Sequence, residues 1–186
     1  DNLDKTFAGQ RYLARQLRYV SRSKAVPLNA TDLGDLNVFP LEIEKHFSSV
    51  ISQCEAVLEL GAYLVLVGGD SSGLKALGAA VQNVINPDVP IVSLSNDNKL
   101  NLSKTQKIIL SVDLKELAGK WLSKPRRLNG LSPSQIISQI NNIPNKIIAV
   151  AIFGLAPELD SRGSTETQVA LNILEAVVKR LDKGAH

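Results

Sequence analysis

A chain of 186 residues, 44% hydrophobic and only 4% aromatic, suits one domain spanning 1–186 with an aliphatic core. Its single cysteine excludes an internal disulfide and any cysteine-rich zinc site. The net charge of +3 is too mild to argue for nucleic acid by itself. No apolar run is long enough to span a membrane, and the polar first ten residues carry no signal core. These features predict a cytoplasmic protein. Methionine is absent even at position 1, as expected of a processed or trimmed chain.

The first predicted element is a helix over 10–22, with Leu13, Leu17 and Val20 inward. Arg11, Arg15, Arg18 and Arg22 share its opposite face. A solvated face is the plain reading, and a phosphate or an acidic partner the functional one. Residues 25–36 read as extended or looped, closed by Asp32-Leu33-Gly34-Asp35. The helix over 41–60 carries a stripe of Ile43, Phe47, Val50, Ile51, Cys54, Val57 and Leu58, and Gly61 stops it. Cys54 on that stripe reads as a buried, inert thiol.

A strand over 63–67 then meets Gly68-Gly69-Asp70-Ser71-Ser72-Gly73, and a capped helix follows over 73–85. Further buried strands are predicted over 89–94, 107–114 and 146–155. Lys124-Pro125-Arg126-Arg127 makes a basic loop. Ser132 as N-cap with Pro133 at N1 opens a short helix through Ile140. A last helix covers 164–183. Continuous apolar strands with helices between most of them predict a parallel sheet buried on both faces, an α/β fold.

In such a fold the turn at 68–73 lies at the carboxyl edge of the sheet, where ligands bind. Gly69-Asp70-Ser71-Ser72-Gly73 matches G-x-S-x-G in the strand–helix setting of a nucleophile elbow. A serine needs a histidine to take its proton. His46 precedes the serine and His186 is the final residue, so neither fits the usual order of serine, acid, histidine. A phosphate cradle is the second reading, but neither G-x-G-x-x-G nor a P-loop lysine is present. Glycines that merely shape the turn are the plain alternative.

A third reading takes the chain as a whole. Gly68-Gly69-Asp70-Ser71-Ser72 resembles the G-G-D-H-S motif of the ureohydrolases, the family of arginase, agmatinase and formimidoylglutamase. Asp32-Leu33-Gly34-Asp35 resembles the family's D-x-G-D. Ser95-Asn96-Asp97-Asn98-Lys99 falls where the family has D-A-H-x-D, and Ser111-Val112-Asp113-Leu114-Lys115 where it has S-x-D-x-D. Gly130-Leu131-Ser132, Pro157-Glu158-Leu159-Asp160 and Thr165 continue the series in order. The resemblance covers about residues 9–182. It implies a three-layer α/β/α fold with a mostly parallel sheet.

The resemblance also implies two manganese ions at the sheet edge, activating a hydroxide that attacks a guanidinium or amidine carbon. The ligand positions are here Ser71, Ser95, Asp97, Lys99, Asp113 and Lys115. Only Asp113 keeps the family residue. Serine hydroxyls are poor ligands for a hard dication, and two lysines would repel it. Lys99 and Lys115 either pair with Asp97 and Asp113 in place of the metals or point to solvent. The family's glutamate near the substrate is Gly154 here. The segment between Leu100 and Lys107 is short beside that of the family, and an N-terminal strand is absent or reduced.

The expected protein is therefore a catalytically inactive ureohydrolase-like domain without manganese. Its role would be structural, regulatory or the binding of a small ligand at Ser71, Asp97, Lys99, Asp113 and Lys115. The alternative is an active C–N hydrolase with a rearranged site, acting on a guanidino, amidino or formimino substrate. The resemblance implies a homo-oligomer or association with an active relative. A nucleic-acid module on the arginine face is a more distant reading.

Overall fold

The structure is a computed structural model that describes residues 13–24, 30–37, 39, 41–94, 106–117, 130–155 and 165–184. Its elements in chain order begin with α1 Leu13–Lys24, α2 Ile43–Glu59, β1 Leu64–Val67 and α3 Ser72–Val84. Next come β2 Ile91–Ser93, β3 Lys107–Asp113 and a 3-10 turn at Leu114–Glu116. The series ends with α4 Pro133–Asn142, β4 Lys146–Phe153 and α5 Thr165–Lys183. The basic loop at 124–127 and the family segment at 157–160 lie outside the described residues.

The strands form one parallel sheet in the order β1-β4-β3-β2. Side chains alternate across a sheet, and this one sends them into two separate cores. On one face Leu13, Leu17 and Val20 of α1, Ile136 and Ile140 of α4, and Leu171, Ile173 and Val177 of α5 pack on Ile108, Leu110, Val112, Val150 and Ile152. On the other face Val50, Cys54 and Leu58 of α2, with Leu77, Ala80 and Val81 of α3, cover Ile109, Ala149, Ala151 and Phe153. The result is the three-layer α/β/α arrangement that the apolar runs predict.

The layer contacts have a local cause in residue size. Ala149 and Ala151 face Ala76 and Ala80, all with small side chains, which lets α3 lie close to the sheet. Gly78 belongs to the same approach, since a Cβ there would stand 3.2 Å from Ile91 Cδ1. The β3–β4 ladder carries one irregularity. Ile108 pairs with Ile147, but Ile109 pairs with Ala149, so Ile148 is an extra residue in β4.

Helix ends follow the sequence signals. Gly61, with φ +72°, donates its N–H to Leu58 O at 2.9 Å and ends α2. Ser132 and Gln135 form a reciprocal capping box: Gln135 N–H donates to Ser132 Oγ at 3.2 Å and Ser132 N–H to Gln135 Oε1 at 2.8 Å. Arg180 of α5 donates to Ile143 O at 2.8 Å just past α4, and to Asn145 O at 3.1 Å. That guanidinium fastens the α4–β4 connection to the last helix.

Two expectations are corrected. Ile43 opens α2 rather than extending its buried stripe and is 69% exposed, because the first turn projects beyond the sheet-facing core of Val50, Cys54 and Leu58. The strand expected over 89–94 is regular only at Ile91–Ser93, and Ile91 and Ser93 are exposed while Val92 is buried. Among the described residues β2 has no neighbour on its outer side, so it is not enclosed as β3 and β4 are.

Candidate functional site

The carboxyl ends of β1 and β4 are joined by backbone. Gly68 N–H donates to Ile152 O at 2.8 Å, and Gly154 N–H donates to Gly69 O at 3.2 Å. Gly68 and Gly69 both have positive φ, 102° and 71°, which a residue with a Cβ adopts only with strain. The turn therefore needs its glycines for shape. Asp70 Oδ1 accepts from Ser72 N–H at 2.8 Å, so the aspartate supplies the oxygen that starts α3. Ser71 stands at the N-cap position with a helical backbone, is exposed, and makes no side-chain capping bond.

At the end of β3, Asp113 Oδ1 accepts from Lys115 N–H at 2.9 Å and caps the 3-10 turn. Asp113 pairs with Phe153 across the ladder. The next residue, Gly154, has φ +94°, and a Cβ on it would overlap Asp113 Oδ1. The same Cβ would stand 3.1 Å from Lys115 Cγ. Asp113, Lys115 and Gly154 thus meet at one corner of the edge. Gly154 also touches the turn two residues before Ser71 through its bond to Gly69. Asp97 and Lys99 lie outside the described residues.

The donor set among these positions does not fit the manganese pair that the resemblance implies. A hard dication needs several carboxylates or imidazoles converging on one point. Ser71 offers a hydroxyl, Lys115 an ammonium, and the Asp113 carboxylate is turned onto a backbone N–H and against Gly154. Among the described residues no group of three or more His, Cys, Asp or Glu comes together. For the nucleophile-elbow reading, His46 lies in α2, where its Nδ1 accepts from Phe39 N–H at 3.4 Å, and His186 is outside the described residues.

Two features were not read from the sequence. Arg18 does not simply face solvent. Its Nε and Nη2 donate to the two oxygens of Asp32 at 2.6 and 2.9 Å, and its Nη1 donates to Asp35 Oδ1. Hydrogen bonds to Asp32 first, then Asp35, raise its already high pKa. The D-x-G-D segment is therefore clamped to α1, and an arginine opposite two aspartates was the available signal. The lodging of Asp113 against Gly154 has no counterpart in any local pattern. Cys54 is buried, as expected, and burial first and Glu55 second push its thiol up to about 11.

No protein-family model matches the chain, and no curated protein sequence matches it. Solved structures do. Proclavaminate amidino hydrolase from Streptomyces clavuligerus superposes with a TM-score of 0.79 at 15% identity, over 96% of this chain and 87% of that one. Formimidoylglutamase from Bacillus subtilis gives 0.71 at 14% identity, over 92% and 81%. Arginase from Bacillus subtilis gives 0.67 at 13% identity, over 92% and 93%. The class is therefore defined: this chain has the arginase-like α/β/α fold of the ureohydrolases. Among the described residues no helix is long and apolar enough to cross a membrane.

Proposed function

We propose that this chain is a ureohydrolase-fold protein, one domain over 1–186, that does not catalyse C–N hydrolysis and serves a structural, regulatory or ligand-binding role. One observation carries the reading. The carboxylate that keeps the family identity, Asp113, is bonded to the Lys115 N–H and packed on Gly154, where a metal site would need it to face other ligands. Ser71 and Lys115 at the neighbouring positions favour the same conclusion. On this reading any ligand meets hydroxyl, carboxylate and ammonium groups at Ser71, Asp97, Lys99, Asp113 and Lys115, with no resident manganese. The family resemblance in the sequence implies self-association, or association with an active ureohydrolase, and the composition favours the cytoplasm.

The test is direct. Purified protein is analysed for bound metal, then assayed with added manganese for urea release from arginine and agmatine and for formamide release from formiminoglutamate. The expected result is substoichiometric metal and no turnover. Stoichiometric manganese or turnover would instead overturn this reading, and turnover would establish the alternative, a C–N hydrolase with a rearranged site.

A further inference from the structure

We infer that Asp113 and Gly154 form a mutually dependent structural pair, in which the carboxylate caps the 3-10 turn from the space that a side chain at 154 would fill, and in which Asp113 ligates no divalent cation. This deepens the non-catalytic reading and rests on it only in taking position 113 for the former ligand position. The observations are geometric. Asp113 ends β3 and its Oδ1 holds the Lys115 N–H at 2.9 Å. That bond satisfies a donor at the start of the Leu114–Glu116 turn, which is otherwise left without an intrahelical partner. The turn then delivers Leu114 and Leu117, both buried, into the core shared by α1, α4 and α5.

Gly154 sits one residue past the Phe153 partner of Asp113. Its φ of +94° and its missing Cβ are both required, because a Cβ would overlap Asp113 Oδ1 and stand 3.4 Å from Asp113 Cγ. A larger residue at 154 would drive the carboxylate off its backbone donor. The stem of Lys115 closes the other side, with Cγ 3.1 Å from the same point. A carboxylate so placed is oriented by the chain's own backbone. With Oδ1 so engaged, Asp113 could offer a cation at most its other oxygen, and Ser71 and Lys115 at the neighbouring positions add no second anionic ligand.

Four variants test this by thermal melting, each with and without manganese chloride: D113A, D113N, G154A, and D113A with G154A. D113A and G154A each lower Tm. The double variant loses less than the sum, because the new methyl enters space that the carboxylate has vacated. D113N keeps a Tm near that of the unaltered protein, since its amide oxygen can accept the same N–H. Manganese shifts the unaltered protein and D113N equally, by zero or by some common amount.

Strictly additive losses would overturn the pair. So would a manganese-induced rise in Tm that disappears in D113N. The comparison of D113N with the unaltered protein remains decisive where G154A fails to fold. A large rise common to both proteins would place a metal elsewhere. It would leave the pair standing, while turnover in the assays above would sink the non-catalytic reading, so the two failures are distinguishable.

Discussion

Arg18 Nε donates to Asp32 Oδ2 at 2.6 Å, and the same guanidinium reaches Asp35. One side chain of α1 thus holds both aspartates of the Asp32–Gly34–Asp35 loop. Asp32 is doubly used, because its Oδ1 also accepts from Gly34 N–H at 2.9 Å, where Gly34 has φ +89°. The aspartates are 53% and 78% exposed, so water screens the attraction and the effect is modest. Arg18→Gln is expected to lower unfolding free energy by about 1 kcal/mol. The loss should shrink in high salt. Urea melts at low and high ionic strength measure it, and equal losses at both would refute an electrostatic clamp.

The turn after β1 gives a sharper contrast. Gly69 has φ +71°, and a Cβ there would meet nothing within 4 Å. Gly69→Ala should therefore cost only backbone strain, about 1–2 kcal/mol. Gly73, in the first turn of α3, has no such strain, but its Cβ would stand 3.2 Å from Leu66 Cδ2. Gly73→Ala gains about 1 kcal/mol of helix propensity and loses some to crowding. The two alanine variants should differ by about 1 kcal/mol or more in denaturant melts, with Gly69→Ala the less stable. The reverse order would mean that packing on Leu66 outweighs the left-handed backbone at Gly69.

Cys54 makes stability depend on alkaline pH. Its thiol is raised from 9.0 to about 11 in the folded chain, by burial first and then by Glu55. A raised folded pKa means that the native state keeps its proton over a range where the unfolded state has lost it. The stabilisation is complete below pH 9 and is lost as pH rises towards 11. Its full size is on the order of 3 kcal/mol. Cys54→Ala creates a small cavity and removes this slope, so the difference in stability between the two proteins should narrow between pH 9 and 11. A pH-independent difference would show that the thiol does not titrate with unfolding.

The capping box at α4 sets the fourth expectation. Ser132 Oγ accepts from Gln135 N–H at 3.2 Å and Gln135 Oε1 accepts from Ser132 N–H at 2.8 Å. Ser132→Ala should cost about 1 kcal/mol, with Gln135→Ala costing less. Hydrogen exchange would locate the effect. Amides in the first turn of Pro133–Asn142 should lose protection before those of β4.

The layers were legible because their signals are local and redundant. Strand β1 is an unbroken apolar run, β4 is one after Lys146, β3 is broken only by Ser111 between its charged ends, and α4 announces itself with Ser132 and Pro133. What escaped depends on the neighbour rather than on the residue. Ile43 continues the apolar period of α2, yet the sheet ends before it reaches that turn. Ile91 looks like Ile109 in sequence but lies on an edge. At the site, the sequence showed the substitutions at 71, 115 and 154 but not their contacts. Gly154 read as a lost glutamate; that Asp113 occupies the space beside it follows only from how β3 and β4 end together.

Ile148, the extra residue in the β3–β4 ladder, has a reach beyond its own position. It shifts the parity of everything after it in β4, so that Val150 and Ile152 meet the α1, α4 and α5 core while Ala149 and Ala151 meet α3. Were Ile148 instead to pair with Ile109 in a regular ladder, Val150 and Ile152 would press on α3, while the alanines would leave a gap beneath α5. Asp113 would then pair with Ile152 in place of Phe153, and Gly154 would lie one residue further from it. The corner at 113 and 154 is thus indexed by a residue at the opposite end of the strand. A single-residue deletion between Ala149 and Phe153 should be read there as a change of phase, and a compensating insertion before Gly154 would restore only the corner, not the packing between.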